Sequence, residues 1–363
     1  MHYYAPKNSA ICINHGQPDM VVTTELPLRQ MPQAYYERDA AIIPSSYWPA
    51  ALIDLAITRA IPEHKLLRHT GIFCEDFFHT DHRICPEQLL QLIHNIQKNY
   101  TAHDISFLLG HQLLPSNMAN LNQQLVTARN LIELIDALIE HQHIACPLIN
   151  IRCTYEGDQL VICWQDSCGA EDAFTFLVET MTTAICSMTR WRSNTRLPWT
   201  LYFAHKKPEY IEQYQVHLGG DLYFDCQRNA MSIARDYCYQ AWTTIHTTHT
   251  DNMLPHPLNI PSKGFLTEVY DYLNNNISTA PNLEKTAADF GMSCASFKRK
   301  LKKHRSHFQA IYDAVRKDLA VYWIHKEGWS SEQVAQRLHF HDVANLRRAF
   351  KKWTGLTLLA ARR

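Results

Sequence analysis

Glycine is scarce in this chain, at 11 of 363 residues, or about 3% against an average near ~7%. That scarcity disfavours glycine-rich phosphate loops and hairpin-rich β folds, and favours helices. Long apolar runs are missing too. None approaches the ~20 residues that a membrane helix needs, and the start, Met1 to Lys7, has no apolar signal core. A cytoplasmic protein with no membrane partner is therefore expected. The eleven cysteines (positions 12, 74, 85, 146, 153, 163, 168, 186, 226, 238 and 294) are odd in number and contain no Cys-x-x-Cys pair. A disulfide scaffold and a zinc-finger spacing are both excluded by that pattern, and reduced thiols are the simplest reading. Also absent are Gly-x-Ser-x-Gly, His-Glu-x-x-His, a Walker loop and a Rossmann glycine fingerprint. No enzyme activity, cofactor or metal is expected.

Net charge is zero, but the zero hides an asymmetry. Residues 263–363 hold 18 Lys+Arg and 9 Asp+Glu, a balance of +9; residues 1–262 hold the remaining 17 and 26, a balance of −9. A basic tail on an acidic body suggests a nucleic-acid module attached to something else. The 46% hydrophobic content supports packed domains, and the length suggests two or three. Three prolines in seven positions mark 250–262 as an extended linker. The expected division is thus 1–249, a linker at 250–262, and 263–363.

The body reads as α+β. Residues 86–99, 117–142 and 171–190 have helical spacing, as in Leu121, Leu125, Leu131, Leu134, Ile135, Leu138 and Ile139. Residues 147–155 and 159–165 read as two strands joined at Glu156-Gly157-Asp158. Short strands are expected at 199–204 and 221–225 with a helix from 208 between them, and a last helix over 229–247. The stripe on 117–142 suits either the core or a second subunit. The tail reads as all-helical, with segments near 264–276, 282–290, 294–304, 306–326, 331–338, 342–353 and 357–362.

The tail contains one unit twice. Glu284, Ala287 and Phe290 match Glu332, Ala335 and Leu338 at an offset of 48. Phe297, Arg299 and Leu301 match Leu346, Arg348 and Phe350 at an offset of 49, one extra residue having entered the second turn. Each unit is a helix, a turn and a second helix. Gly291 suits a left-handed helix end, and Ser293 and Asp342 suit the N-caps of the second helices. Phe297 with Leu301, and Leu346 with Phe350, lie one turn apart and should be buried. Ala295, Lys298, Arg299 and Lys302 share another face at i, i+3, i+4 and i+7; Ala344, Arg347, Arg348 and Lys351 occupy the same face of the second unit. Small and cationic residues together are what a major-groove reader presents. A cluster of Lys and Arg is ordinarily only a solvated face; the repeated register and turn chemistry argue against that here. Between the units, Ser306 to Lys326 reads as a helix of roughly 30 Å, close to the ~34 Å of one DNA turn.

These residues resemble the AraC/XylS family of bacterial transcription regulators across about 264–362. The resemblance rests on Leu283 to Leu301, on Val315 to Ala320, and above all on Arg348-Ala-Phe-Lys-Lys-Trp353-Thr-Gly355. It implies base-reading positions at Ala295, Lys298 and Arg299, and at Val343, Ala344, Asn345, Arg347 and Arg348. Two departures stand out, since the family usually has glycine at His339 and proline at Leu358. The first points to a slightly strained turn and a second unit that reads bases less specifically. The body resembles the arabinose-binding-type sensor domain of one branch of the family, through Asp104-Ile-Ser-Phe-Leu-Leu-Gly110, Leu201-Tyr-Phe-Ala-His205-Lys-Lys-Pro208, Tyr214 and Leu222-Tyr-Phe-Asp225. Together these imply an α+β sensor domain followed by an all-α DNA-binding domain with two helix-turn-helix motifs. They also imply promoter DNA, an unidentified small-molecule effector, RNA polymerase and a homodimer as partners, with activation the family expectation. Arg299 and Arg348 are the candidates for guanine and Asn345 for adenine; Lys302 and Lys351 would neutralise phosphates. The alternative is a redox or metal sensor using the thiols near the hairpin (Cys146, Cys153, Cys163, Cys168) or the histidine pairs His79/His82, His141/His143 and His246/His249.

Overall fold

A computed structural model describes residues 35–79, 81–115, 119–242, 261–325, 327–355 and 357–358. Its N-terminal part mixes helices with two sheets. Strand β1 (Ile43–Pro44) pairs antiparallel with β2 (Arg83–Ile84), and around this pair lie α1 (Trp48–Thr58), α2 (Glu63–Leu66), α3 (Pro86–Asn99) and α4 (Ile105–Leu113). In α3, Pro86 takes the first helical turn, where a missing N–H costs nothing. The Gln88 side chain accepts from the Cys85 N–H at 2.9 Å, and Leu89, Leu92, Ile93 and Ile96 bury one face.

The expected helix over 117–142 is interrupted. Residues 116–118 lie outside the described set, and the rest forms α5 (Ala119–Thr127), α6 (Leu131–Glu140) and α7 (Gln142–Ala145). Local chemistry makes the break: the Asn130 side chain accepts from the Glu133 N–H at 3.0 Å, capping α6, while Arg129 pairs with Glu133 at 2.6 Å. Leu121, Leu125, Leu131, Leu134, Ile135 and Leu138 are nevertheless all buried in the chain's own core, so the apolar spacing runs across the break.

A five-stranded sheet follows, in the order β3-β4-β7-β5-β6. Strands β3 (Ile149–Glu156) and β4 (Gln159–Asp166) form the expected hairpin, turning at Gly157 with φ +60°. After the long α8 (Ala173–Ser193) come β5 (Thr200–Tyr202), α9 (Ile211–His217) and β6 (Asp221–Tyr223); β5 and β6 are parallel, joined through α9. The last helix expected, 229–247, is instead β7 (Ala230–Ala234) and a single turn, α10 (Arg235–Cys238), with 243–247 outside the described residues. Ala230 to Ile233 are buried on both faces between β4 and β5. A short central strand of that kind shows no alternation, so periodicity cannot separate it from a helix.

From Pro261 onward the described chain has no strand. It holds α11 (Phe265–Asn275), α12 (Leu283–Asp289), α13 (Cys294–Lys303), α14 (Phe308–His325), α15 (Ser331–Arg337) and α16 (Val343–Thr354). The segment expected at 357–362 is not helical at Thr357 and Leu358, and its remainder lies outside the described residues, as do 250–260 of the expected linker. These helices share a second hydrophobic cluster built on Phe265, Val269, Leu273, Phe297, Val315 and Phe350.

Residues 35–39 clasp the two parts. Tyr36 bridges to Gly264, its N–H donating to the Lys263 carbonyl and its carbonyl accepting from the Phe265 N–H, both at 3.0 Å. Gly264 has no room for a Cβ, which would fall 2.6 Å from the Ser167 carbonyl oxygen. Arg38 donates to the Cys168 and Gly169 carbonyls, and Arg152 of β3 pairs with Asp271 of α11.

Candidate functional site

The two helical units are built alike at their capping residues. Asn282 and Ser330 cap α12 and α15, accepting from the N–H groups of Lys285 and Gln333 at 2.8 and 3.2 Å. Ser293 and Asp342 cap α13 and α16, accepting from the N–H groups of Ser296 and Asn345 at 3.2 and 2.6 Å. The small Ala287 and Ala335 are buried beneath the crossing helices, and Phe297, Leu301, Leu346 and Phe350 are fully enclosed. The turns match as well, with φ +68° at Gly291 and +57° at His339. His339 therefore holds a left-handed conformation that costs an L-residue energy, and the turn is kept.

On the outer face of α13, Ala295, Lys298, Arg299 and Lys302 are exposed, as are Ala344, Arg347, Arg348 and Lys351 on α16; Val343 and Asn345 are half-buried. Lys298, Lys302, Arg347 and Lys351 carry no ion pair among the described residues. The other cations of α13 point elsewhere: Lys300 pairs with Glu37 at 2.8 Å and Lys303 with Asp39 at 2.6 Å. The N-terminal clasp thus neutralises one side of α13 and leaves the other open.

Position Ser296, which the sequence reading passed over, is the counterpart of Asn345. Arg299 donates to the Ser296 hydroxyl at 3.4 Å and Arg348 to the Asn345 carbonyl oxygen at 2.5 Å. Each unit therefore carries a chain of cap residue, third-position polar residue and arginine. Asn345 also donates to Asp342 at 3.1 Å, so both ends of its amide are engaged, and contact with adenine requires releasing them. Between the units, α14 spans 18 residues, about 27 Å. Arg316 on it lies over the Tyr312 and Phe340 rings at 4.2 and 4.7 Å, linking this helix to the second turn.

In the N-terminal part, the motifs singled out in the sequence converge on a residue that was not. Glu179, near the middle of α8, is buried. Ser106 donates to its carboxylate at 2.6 Å, Tyr214 at 2.5 Å and Tyr210 at 3.1 Å; the Tyr214 oxygen lies 2.8 Å from His205 Nε2. Phe107, Phe203 and Phe224 meet the Tyr214 ring edge-on at 5.0, 4.9 and 5.2 Å. Gly110 lets α4 approach α8, since a Cβ there would fall 2.5 Å from the Thr180 carbonyl oxygen. Burial pushes the Glu179 carboxyl up to about 7, against the pull of its three hydroxyl donors, and burial lowers His205. Beside Glu179 lies a cavity of about 320 Å³ reaching His103 and Tyr100. A lone glutamate inside a helical run carries no sequence signal, which is why it was missed. A second cleft, of about 710 Å³, lies between β3 and β4 on one side and α11 and α14 on the other.

The thiols and histidines give a switch little to work with. The ten described cysteines are free. Burial pushes Cys146, Cys153, Cys163 and Cys168 above the ordinary range, Cys163 to about 11, whereas a reactive thiol needs a lowered value. No group of three or more His, Cys, Asp or Glu among the described residues could hold a metal ion; His246 and His249 lie outside them. Nor is any described helix long and apolar enough to cross a membrane.

Comparison with known proteins falls on the same two parts. Residues 61–240 match the family model described as the arabinose-binding domain of AraC transcription regulator, N-terminal, and residues 286–363 match a helix-turn-helix domain. The chain is 22% identical over 323 residues to the ornithine utilization regulator of Pseudomonas aeruginosa, covering 87% of this chain and 95% of that one. Over 107 residues it is 26% identical to the HTH-type transcriptional regulator GadX of Escherichia coli K12, 30% of this chain and 39% of that one. Among solved structures, the transcriptional regulator CdpR of Pseudomonas aeruginosa aligns over 86% of this chain and 96% of its own, at 14% identity and a TM-score of 0.32.

Proposed function

The chain belongs to the AraC/XylS family of transcription regulators, and from that premise we propose that it is a sequence-specific, effector-controlled activator working in the cytoplasm. In this reading residues 1–249 sense a small molecule and provide any dimer contact, 250–262 link, and 263–363 bind promoter DNA and meet RNA polymerase. Ala295, Lys298, Arg299 and Lys302 of α13 face one major groove. Val343, Ala344, Asn345, Arg347, Arg348 and Lys351 of α16 face the next. Arg299 and Arg348 read bases, the lysines neutralise phosphates, and the small residues permit close approach.

The observation that carries this reading is the matched pair of outer faces, exposed on both helices while Lys300 and Lys303 are tied to Glu37 and Asp39. Effector control has support from the same clasp and from the cleft that α14 shares with the sheet. A ligand that favours one arrangement of these contacts shifts the DNA-competent population by its differential affinity for the two states. The test compares two variants on promoter and altered-promoter DNA across salt concentrations. Arg299→Ala should relax preference at one base pair, while Lys302→Ala should weaken all sequences alike and lower the salt slope by about 1. Unchanged binding in both variants means the assigned face is wrong.

A further inference from the structure

We propose that the cavity beside Glu179 is the effector site, and that it takes an organic amine, a short linear diamine fitting best. This deepens the reading above and rests on it for the word effector. The cavity runs along α8, where Asp172, Thr175, Phe176 and Glu179 all line it. Their spacing of i, i+3, i+4 and i+7 puts them on one helix face. Glu179 sits deep at one end, while Asp172 is exposed at the start of the helix. Seven residues of helix separate the Asp172 and Glu179 α-carbons by about 10 Å along the axis. Allowing about 3 Å for a hydrogen bond at each end, that leaves roughly 4–5 Å, which suits two ammonium groups joined by a chain of three to four carbons.

The walls agree with this charge. Among the described residues no Lys or Arg lines the cavity. The titratable groups around Glu179 are Tyr100, His103, His205, Tyr210, Tyr214 and Asp172. His103 stacks on Tyr210 at 4.3 Å, so rings flank the space where a methylene chain would lie, and aromatic faces favour ammonium groups. Ser106, Tyr210 and Tyr214 fix the Glu179 carboxylate but bring it no positive charge. A buried carboxylate without a cation is costly. When empty, the site meets that cost partly by holding a proton near neutral pH; a cation arriving from the cavity would meet it by pairing with the ionised carboxylate. The bound cation would also touch His205 and Tyr210, on the segments leading from β5 into α9, and so act on the edge of the sheet.

The test is isothermal titration of the full chain with 1,3-diaminopropane, 1,4-diaminobutane, n-butylamine, succinate and arabinose. The diamines should bind, n-butylamine more weakly, and succinate and arabinose not at all. Glu179→Gln should weaken the diamines about 10- to 100-fold, the range expected for losing one charged hydrogen bond. Asp172→Asn lies at the exposed mouth and leaves the interior intact; it should bring diamine affinity down to that of n-butylamine. The proposal is overturned if no amine binds, if both variants bind diamines as the parent does, or if succinate or arabinose binds instead. Promoter affinity measured by fluorescence anisotropy, with and without diamine, separates the two readings. Diamine binding that leaves DNA affinity unchanged keeps the site and removes its effector role. Normal promoter binding without amine binding overturns the site alone.

Discussion

Exchanging the residues at the two turns isolates the cost of a single backbone angle. Gly291 and His339 occupy equivalent positions with φ +68° and +57°. His339 is exposed, so His339→Gly removes little packing. A left-handed L-residue costs ~1–2 kcal/mol, and histidine lies at the tolerant end of that range. Glycine returns about 0.4–1 kcal/mol of that through the entropy of the unfolded chain. The net expectation is that His339→Gly stabilises the second unit by up to about 0.6 kcal/mol. The converse, Gly291→His, should destabilise the first by a similar amount. An added Cβ at Gly291 meets nothing within 4 Å, so sterics beyond the backbone do not enter. Native-state hydrogen exchange reads the two units separately. Amides of α15 and α16 should exchange up to about 3-fold more slowly in His339→Gly, and those of α12 and α13 faster by a like factor in Gly291→His. Faster exchange in α15 and α16 of His339→Gly, or no change in either variant, refutes the strain argument.

Other consequences can be read from buried groups. Phe297→Ala and Phe350→Ala each empty a fully enclosed site and should cost ~3–5 kcal/mol, seen in urea titration as loss of the tail's helical signal at lower concentration. His304 is buried with neither ring nitrogen hydrogen-bonded, and burial pushes it down to about 4, with Glu37 acting the opposite way. A depressed folded pKa means stability present above the unfolded value near ~6.5 and lost as pH falls towards 4. The melting temperature should therefore drop across that window, and His304→Phe should flatten the drop; an equally steep fall in that variant contradicts the assignment.

The parts legible in the sequence were those set by neighbours along the chain. The caps Ser293 and Asp342, the left-handed turn at Gly291 and the apolar pairs Phe297/Leu301 and Leu346/Phe350 are local, and they stand as expected. What depended on distant partners was not legible. β7 is a strand because β4 and β5 flank it, yet Ala230–Ala234 has no alternation to announce it. The α5–α6 break depends on Asn130 capping where the apolar spacing continues without pause. Glu179 acquires its surroundings from α4, α9 and the loop after β5, and the clasp at Glu37 meets Lys300 from 263 residues away. None of these contacts leaves a spacing in one sequence.

The proposed reading of DNA by α13 and α16 on one strut implies one geometry, and hydroxyl-radical footprinting of the full chain on its promoter measures that geometry. Two protected patches should appear on one face of the duplex, about 10 base pairs apart. Arg299→Ala should thin one patch and Arg348→Ala the other. A single patch, or two patches that both variants leave intact, contradicts paired reading by α13 and α16.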